Sequence, residues 1–393
     1  MKPDDVVVDR VGLTVESVQV KRPLSRFWTT VFWFGNIYML CVRYWIEYIA
    51  VPFGRYYNWT HLASDGQRCN QGVHIERCVR YGKLPGEEMD VLSPTDEYSL
   101  PGSIPVLYVH GGGFVCVHRG VMNHSVTPLV RAGFTVYSVD YPLSPEFKYP
   151  IPVISVLRAL NFLKTECNID RVKIVADSAG GTLASKAVAV IHNPLHNWHP
   201  DLKKALCEFN FPIIEQVALL YTIFDIDSWK FSDSLSLYGL FQNAILSYCM
   251  HQHCDTNIDK ITLMENYEKI NSFPPTFLLC GHSDPLRASH QVFAQHLKQI
   301  GVPVQSLLMN GFHGFHGLPA PFSFGLWRST VFPANVELIK WLTNNEHPSR
   351  IPSIPIDRIK GEFDVSLLVV IGITHAFAIY VLSAIVALII DIL

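Results

Sequence analysis

The chain has 393 residues, long enough for one large α/β domain with further segments attached. Hydrophobic residues make up 49% of it and charged residues only 17%, against about 25% charged residues in an average soluble domain, so the composition indicates either membrane segments or an unusually apolar surface. The formal net charge of −3 provides no excess of positive charge for a polyanion, which argues against nucleic acid as a partner.

The N-terminal segment, residues 1–59, begins with polar residues of mixed charge and then becomes rich in aromatic residues. Residues 27–42 read FWTTVFWFGNIYMLCV, and Arg43 and Glu47 interrupt the apolar pattern soon afterwards. No small-residue cleavage site follows, so the segment does not suit a cleaved signal peptide. Three interpretations remain open: a membrane-spanning signal anchor, an interfacial helix, and an apolar cap over the pocket of the following domain.

The central block, residues 60–345, alternates short apolar runs with stretches of helical pattern. Such runs suit strands that are buried on both faces, and the helical stretches between them predict a mainly parallel sheet flanked by helices. The runs occupy residues 104–110, 134–139, 172–176, 217–221 and 276–280. An insertion at about residues 225–272 follows the fourth run and is predicted to form a helical cap.

The first of these runs ends in the sequence HGGGF, residues 110–114. Successive glycines let backbone N–H groups approach a ligand closely, because no Cβ stands in the way. If they face a nucleophile, these N–H groups can form an oxyanion hole together with the N–H of Ala179. A flexible turn is the plain alternative, and a phosphate loop is disfavoured because no Lys follows at the expected position.

The run at residues 172–176 leads into DSAGG, residues 177–181, and then into a helix-forming stretch. Small residues around Ser178 permit the tight strand-to-helix turn that lifts a serine hydroxyl above a sheet. The start of a helix at this serine also favours negative charge there. Ala176 stands where the G-x-S-x-G pattern has its first glycine. Ser178 is predicted to be a nucleophile, with a helix N-cap as the structural alternative.

Two further residues complete the order Ser, acid, His that is typical of α/β-hydrolases. Asp284 follows the run at 276–280, where a loop would turn over the sheet. His313 lies in GFHGF, after another apolar run at residues 302–309. His316 is a rival for the histidine role, because it lies three residues further on and is also followed by glycine.

The C-terminal part of the chain is a linker, residues 346–364, followed by an apolar run without charged residues at 365–390. A hydrocarbon core about 30 Å thick requires about 20 residues of helix, so this run is predicted to be a single transmembrane anchor. Arg350, Arg358 and Lys360 precede it, which favours a cytosolic catalytic domain on the membrane of the endoplasmic reticulum or another organelle. A luminal domain is the alternative.

Five motifs in order make the central block recognisable. HGGGF, YPLSPE, DSAGG, DPL and GFHGF, over roughly residues 100–320, resemble the hormone-sensitive-lipase-like family of esterases and deacetylases. The resemblance implies an α/β-hydrolase fold, with Ser178 as nucleophile, His313 as general base and Asp284 as the group that orients it. The oxyanion donors that it implies are Gly112, Gly113 and Ala179.

The chain departs from the family pattern at three positions. Besides Ala176 in the elbow, Pro142 replaces an arginine and Ala288 stands where other members carry an acid. None of these changes removes a catalytic atom. The segment that supports the oxyanion loop in the family is matched at Tyr141, Pro145 and Glu146.

These residues predict a membrane-anchored serine hydrolase of carboxylic esters that needs neither a metal nor an organic cofactor. The aromatic segment at 27–59 and the insertion at 225–272 are expected to cover the acyl pocket. Attachment to a lipid bilayer favours a lipophilic substrate: a sterol ester, an acylglycerol or an acetylated hydrophobic alcohol. The alternatives from other classes are a non-catalytic receptor for a small ligand and a structural membrane subunit on the same fold.

Overall fold

A computed structural model of the chain describes residues 72–225, 270–311, 313–314 and 332–343. Four predicted segments lie wholly or mainly outside the described residues: 1–59, the insertion at 225–272, the linker at 346–364 and the apolar run at 365–390. Among the helices that the structure does describe, none combines the length and the hydropathy needed to span a bilayer.

The described residues form one mixed sheet of eight strands in the order β1-β2-β4-β3-β5-β6-β7-β8. The strand β2 pairs antiparallel with β1 and β4, and all other neighbours are parallel. The strands are β1 Val73–Arg80, β2 Glu88–Pro94, β3 Val106–Val109, β4 Val136–Val139, β5 Arg171–Asp177, β6 Ile213–Leu220, β7 Thr276–Gly281 and β8 Val304–Met309.

Helices cover both faces of this sheet. They are α1 Arg119–Arg131, α2 Ile151–Thr165, α3 Ser178–His192, α4 Pro200–Glu208, α5 Arg287–Gln299 and α6 Phe332–Leu342. Helices α2 to α5 contribute to one buried cluster, which contains Leu107 and Val109 of β3. Helices α1 and α6 contribute to a second, which contains Val106 and Tyr108. Neighbouring residues of a strand point to opposite faces, so the two clusters are the two sides of the sheet.

All five predicted strands of the central block are present, with ends shifted by a few residues. The continuous apolar runs are explained by burial on both faces: every residue of β3 and β7 is buried. Each such Val or Leu side chain contributes roughly 1.5–3 kcal/mol to folding. The antiparallel pair β1 and β2 was not predicted from the sequence. In β1, buried and exposed residues alternate in VHIERCVR, so no continuous apolar run marks it.

A buried ionic network joins this antiparallel edge to α1. The Arg119 guanidinium donates from Nε to Asp90 Oδ1 at 2.8 Å and also contacts Asp140 and Glu88. Arg77 donates to the other oxygen of Asp90 at 3.0 Å. Burial alone would raise the pKa of Asp90, but the charges of Arg119 and Arg77 outweigh it and lower that pKa. Removing one partner would leave an uncompensated buried charge, which costs about 3–5 kcal/mol.

Candidate active site

Ser178 lies at the turn between β5 and α3, in a left-handed backbone conformation with φ +48°. A non-glycine residue there is strained, as expected for a serine held on a sharp strand-to-helix turn. The turn packs tightly against the neighbouring loop: a Cβ on Gly180 would lie 2.3 Å from the carbonyl oxygens of Val109 and His110. The glycine is therefore required by close approach of two backbones.

Ala176 replaces the usual first glycine of the motif without disturbing this geometry. It lies inside strand β5, fully buried, and pairs with Val109 on one side and Leu219 on the other. Extended backbone of this kind accepts any small side chain, so the departure from the family pattern has a structural explanation.

The structure brings the three predicted catalytic side chains together. Ser178 Oγ lies 2.9 Å from His313 Nε2, and His313 Nδ1 lies 3.1 Å from Asp284 Oδ2. The backbone N–H of Leu286 donates to the other oxygen of Asp284 at 2.9 Å and fixes the carboxylate. Each residue follows the carboxyl end of a parallel strand, β5, β7 or β8. The rival residue His316 lies outside the described residues.

The loop after β3 lies directly against the serine. A Cβ on Gly111 would be 2.9 Å from Ser178 Cβ. Gly112 and Gly113 have φ values of +110° and +62°, which glycine adopts freely. Ala179 is the second residue of α3, in the first turn, where backbone N–H groups have no intrahelical partner. Gly112 and Gly113 therefore lie in the loop that contacts the serine, and Ala179 is the residue after it; their role as oxyanion donors stays a prediction.

Two buried side chains that the sequence analysis did not identify fix this loop. The carboxyl group of Asp177 accepts from the Gly111 N–H at 3.0 Å and from the Tyr108 hydroxyl at 2.6 Å. Burial raises the pKa of Asp177, although both hydrogen bonds oppose the shift. Asp177 directly precedes the serine, so it links the elbow to the glycine loop. In the sequence, the only indication of this role for Asp177 was its position directly before the predicted nucleophile.

The segment after β4 supports the loop from the other side. Tyr141 donates its hydroxyl to the carbonyl oxygens of His110 at 2.9 Å and Gly111 at 3.3 Å. Its ring stacks on the ring of His110 at a centroid distance of 4.7 Å. Tyr141 therefore contacts the loop as the resemblance implies, whereas Pro145 and Glu146 are exposed.

Side chains in α3 and α5, and Asn193 directly after α3, contact the segments before and after residues 226–269. Four side chains bond to backbone carbonyls there: Thr182 to Ile223 at 2.8 Å, His290 to Thr222 at 3.1 Å, Asn193 to Ser272 at 2.9 Å, and His296 to Ile270 at 3.0 Å. Since Thr182 lies in the first turns of α3, the insertion leaves the fold close to Ser178, whereas Asn193, directly after the last residue of α3, holds the returning chain at the far end of that helix. Within the described ranges, no group of three His, Cys, Asp or Glu side chains forms a metal site.

A family profile described as alpha/beta hydrolase fold matches residues 106–317, more than half of the chain. An ethyl acetate hydrolase of Pseudomonas putida is 26% identical over 56% of this chain and 67% of its own length. Neutral cholesterol ester hydrolase 1 of Mus musculus is 22% identical over 66% of this chain and 78% of its own. An alpha/beta hydrolase of Acanthamoeba polyphaga mimivirus is 26% identical over 52% of this chain, and the match spans only 59% of that relative.

Solved esterases share the fold. Esterase B from Lactobacillus rhamnosis superposes with a TM-score of 0.55, at 18% identity, over 76% of this chain and 96% of its own. A fungal esterase from Rhizomucor miehei gives a TM-score of 0.54, at 20% identity, over 75% and 92%.

His290, in helix α5 after the loop that carries Asp284, predicts how the free energy of unfolding changes at acidic pH. Burial lowers its pKa to about 4, below the value of about 6.5 expected in the unfolded chain. The unfolded state therefore binds more protons between these values, and stability falls as the pH falls through this window. In His290→Gln, which retains a donor for Thr222, this loss is absent. In urea unfolding, the free energy of unfolding of the wild type minus that of His290→Gln should decrease by roughly 3 kcal/mol from pH 7 to pH 4. A difference that stays constant over this pH range would contradict the assignment.

Proposed function

The chain belongs to the alpha/beta hydrolase family, in the branch of hormone-sensitive-lipase-like esterases and lipases, and from this membership we propose that it hydrolyses lipophilic carboxylic esters at a membrane. The hydrogen-bonded chain from Ser178 through His313 to Asp284 is the observation that carries the proposal. A buried serine and a buried aspartate, joined by a histidine in this geometry beside a glycine loop, form the arrangement required for nucleophilic acyl transfer.

In the proposed reaction, Ser178 Oγ attacks the ester carbonyl while His313 Nε2 accepts the hydroxyl proton. The Asp284 carboxylate holds the ring through Nδ1–H and stabilises the imidazolium that forms. The N–H groups of Gly112, Gly113 and Ala179 donate to the oxyanion of the tetrahedral intermediate. Protonation of the leaving alkoxide by His313 releases the alcohol. Water, deprotonated by the same nitrogen, then attacks the acyl-enzyme and releases the acid.

Esters are favoured over other acyl compounds because several relatives are named for ester hydrolysis, including an ethyl acetate hydrolase, an arylesterase and a cholesterol ester hydrolase. A lipophilic ester is favoured by the apolar composition and by the run at 365–390. The candidates are a sterol ester, an acylglycerol or an acetylated hydrophobic alcohol. A non-catalytic receptor or a structural subunit has no use for an intact, hydrogen-bonded triad, so the geometry favours the enzyme.

Single substitutions test the proposed reaction. Ser178→Ala and His313→Ala should each lower the rate of p-nitrophenyl acetate hydrolysis by several orders of magnitude, because the two side chains act as one unit. Ser185→Ala, in the same helix, and His74→Ala, on the exposed side of β1, are matched controls that should retain activity. Water-insoluble esters presented in vesicles should be hydrolysed with a higher kcat/KM. Undiminished activity of Ser178→Ala, or activity confined to amides or phosphoesters, would contradict the proposal.

We further propose that residues 365–390 anchor the protein in the membrane of the endoplasmic reticulum or another organelle, with the catalytic domain in the cytosol. The double substitution Ile379→Arg and Val381→Arg should lower the fraction of the full chain that stays in carbonate-washed membranes, since each arginine costs about 2.5–3.5 kcal/mol at the middle of a span. The N-terminal apolar segment accounts for any fraction that stays bound. The control, Ile379→Leu and Val381→Leu, should remain bound. Equal membrane binding of both variants would refute the anchor, and endoglycosidase-sensitive sugar on Asn58 or Asn123 would place the domain in the lumen.

A further inference from the structure

The side of the sheet at which its parallel strands begin, here called the amino-end face, lies opposite the triad. Ser178, Asp284 and His313 all follow the carboxyl ends of parallel strands. A strand rises about 3.3 Å per residue, so Arg171 at the start of β5 lies roughly 23 Å below Ser178. A surface that touches the amino-end face is therefore separated from the catalytic residues by the height of the sheet.

The chain leaves the described fold at the amino-end face. Helix α6 ends at Leu342, whose carbonyl oxygen accepts a hydrogen bond from Nζ of Lys173 in β5. Gln216 Nε2 of β6 donates to the carbonyl oxygen of Trp341 at 3.1 Å, and the Trp341 ring packs on that of Phe277 at a centroid distance of 5.6 Å. These contacts fix the end of α6 beside the amino-terminal halves of β5, β6 and β7.

The chain also enters the described fold at this face. Val73 is the first residue of β1 and pairs with Pro94, the last residue of the antiparallel strand β2. Leu92, close to the same end of β2, pairs with Val136, the first residue of β4. Strand β1 therefore begins at the side on which the parallel strands begin. The two apolar segments of the sequence, one upstream and one downstream, are thus both connected to the amino-end face.

Two large apolar side chains are exposed at this face. Leu195, shortly after the end of α3, is 99% exposed, and Ile213, the first residue of β6, is 65% exposed. The loop of Leu195 is fixed by Asn193, whose Oδ1 accepts from the backbone N–H of Ser272, just before β7, at 3.1 Å. Among the described residues, the remaining exposed large apolar side chain is Val292, in the middle of α5. The most exposed apolar side chains therefore lie on the face to which both apolar segments connect.

The charged side chains next to Ile213 are paired with one another. Arg171, its partner in β5, forms an ion pair with Glu215. Asp170, whose carbonyl oxygen accepts from the Ile213 N–H, forms one with Lys164 at 2.6 Å. This part of the face thus has no excess of either sign. It suits a zwitterionic lipid surface, whereas a polyanion would require an excess of positive charge.

The length of the connection to the predicted anchor favours contact between this face and a bilayer. Residues 343–364 join α6 to the apolar run at 365–390. A flexible chain of this length has ends roughly 25 Å apart on average, about the height of the sheet, so the anchor holds the amino-end face nearer to the bilayer than the triad. Two apolar side chains bind lipid weakly by themselves, but attachment to an anchor raises their effective concentration at the surface.

We propose that the amino-end face lies against the lipid bilayer, with Leu195 and Ile213 in contact with lipid, and that the triad faces the aqueous phase. This inference rests on the membrane anchor of the proposed function. It goes beyond that function because it determines the side from which a substrate arrives: an ester must reach Ser178 from the aqueous side of the anchored protein.

Photo-crosslinking of the full chain in phosphatidylcholine vesicles tests the contact directly. Leu195→benzoylphenylalanine and Ile213→benzoylphenylalanine should each form lipid adducts on irradiation, identified by mass spectrometry of the modified peptide. Two exposed positions of α5 are matched controls: Val292→benzoylphenylalanine on the side of the domain, and Ala288→benzoylphenylalanine at the end of the helix nearest the triad. Both controls should give several-fold less lipid adduct. The two test positions are independent, so the misfolding of one variant does not prevent the test.

Each other outcome contradicts the proposal in a recognisable way. Lipid adducts at position 288, or equal amounts at all positions, would overturn the orientation. Crosslinks from 195 and 213 to protein in place of lipid would show that a second copy, or residues 1–59, occupies the face. If the wild-type chain does not float with the vesicles, the anchor and this proposal fail together. If it floats and the adducts at 195 and 213 are missing, this proposal alone fails. None of these results depends on whether Ser178 hydrolyses esters, which the p-nitrophenyl acetate assay measures separately.

Discussion

The close packing of the turn after β5 against the loop after β3 is the constraint on which the site depends. Gly180 has no space for a side chain because the carbonyl oxygens of Val109 and His110 lie where its Cβ would be. The same approach brings Gly111 against Ser178 and lets Asp177 bond to the loop. Parallel pairing of β3 with β5 fixes the height of both segments above the sheet. The strained backbone of the serine is therefore maintained by the sheet itself.

Behind this loop, the fold concentrates its buried charge. The network of Arg119, Asp90 and Asp140 connects the antiparallel edge of the sheet, helix α1 and the ring of His110. Buried ion pairs add little net stability but are costly to break, so such a network favours a single arrangement of the groups around it. That rigidity suits a site whose backbone donors must be in place before negative charge develops on the substrate. The edge strands β1 and β2 are thereby connected, through Arg119 and Asp140, to the ring that lies against the glycine loop.

The sequence was sufficient for those parts of the fold that are buried on both faces. Strands such as β3 and β7 appear as continuous apolar runs, and the motifs that follow them led to Ser178, Asp284 and His313. Strand β1 was missed because its partly exposed face breaks the apolar run. The contact of His110 with Asp140 was beyond sequence reasoning, since the two residues lie thirty positions apart in the chain. The predictions for 1–59, the insertion at 225–272 and the anchor at 365–390 rest on composition.

A crystal structure of the protein inhibited by a phosphonate ester would test the central claim most directly, because the adduct resembles the tetrahedral intermediate. The account predicts a covalent bond from phosphorus to Ser178 Oγ, with one phosphonyl oxygen roughly 2.7–3.1 Å from the backbone nitrogens of Gly112, Gly113 and Ala179. His313 should remain between the adduct and Asp284. Attachment to any other residue, or a phosphonyl oxygen turned away from the glycine loop towards solvent, would contradict it.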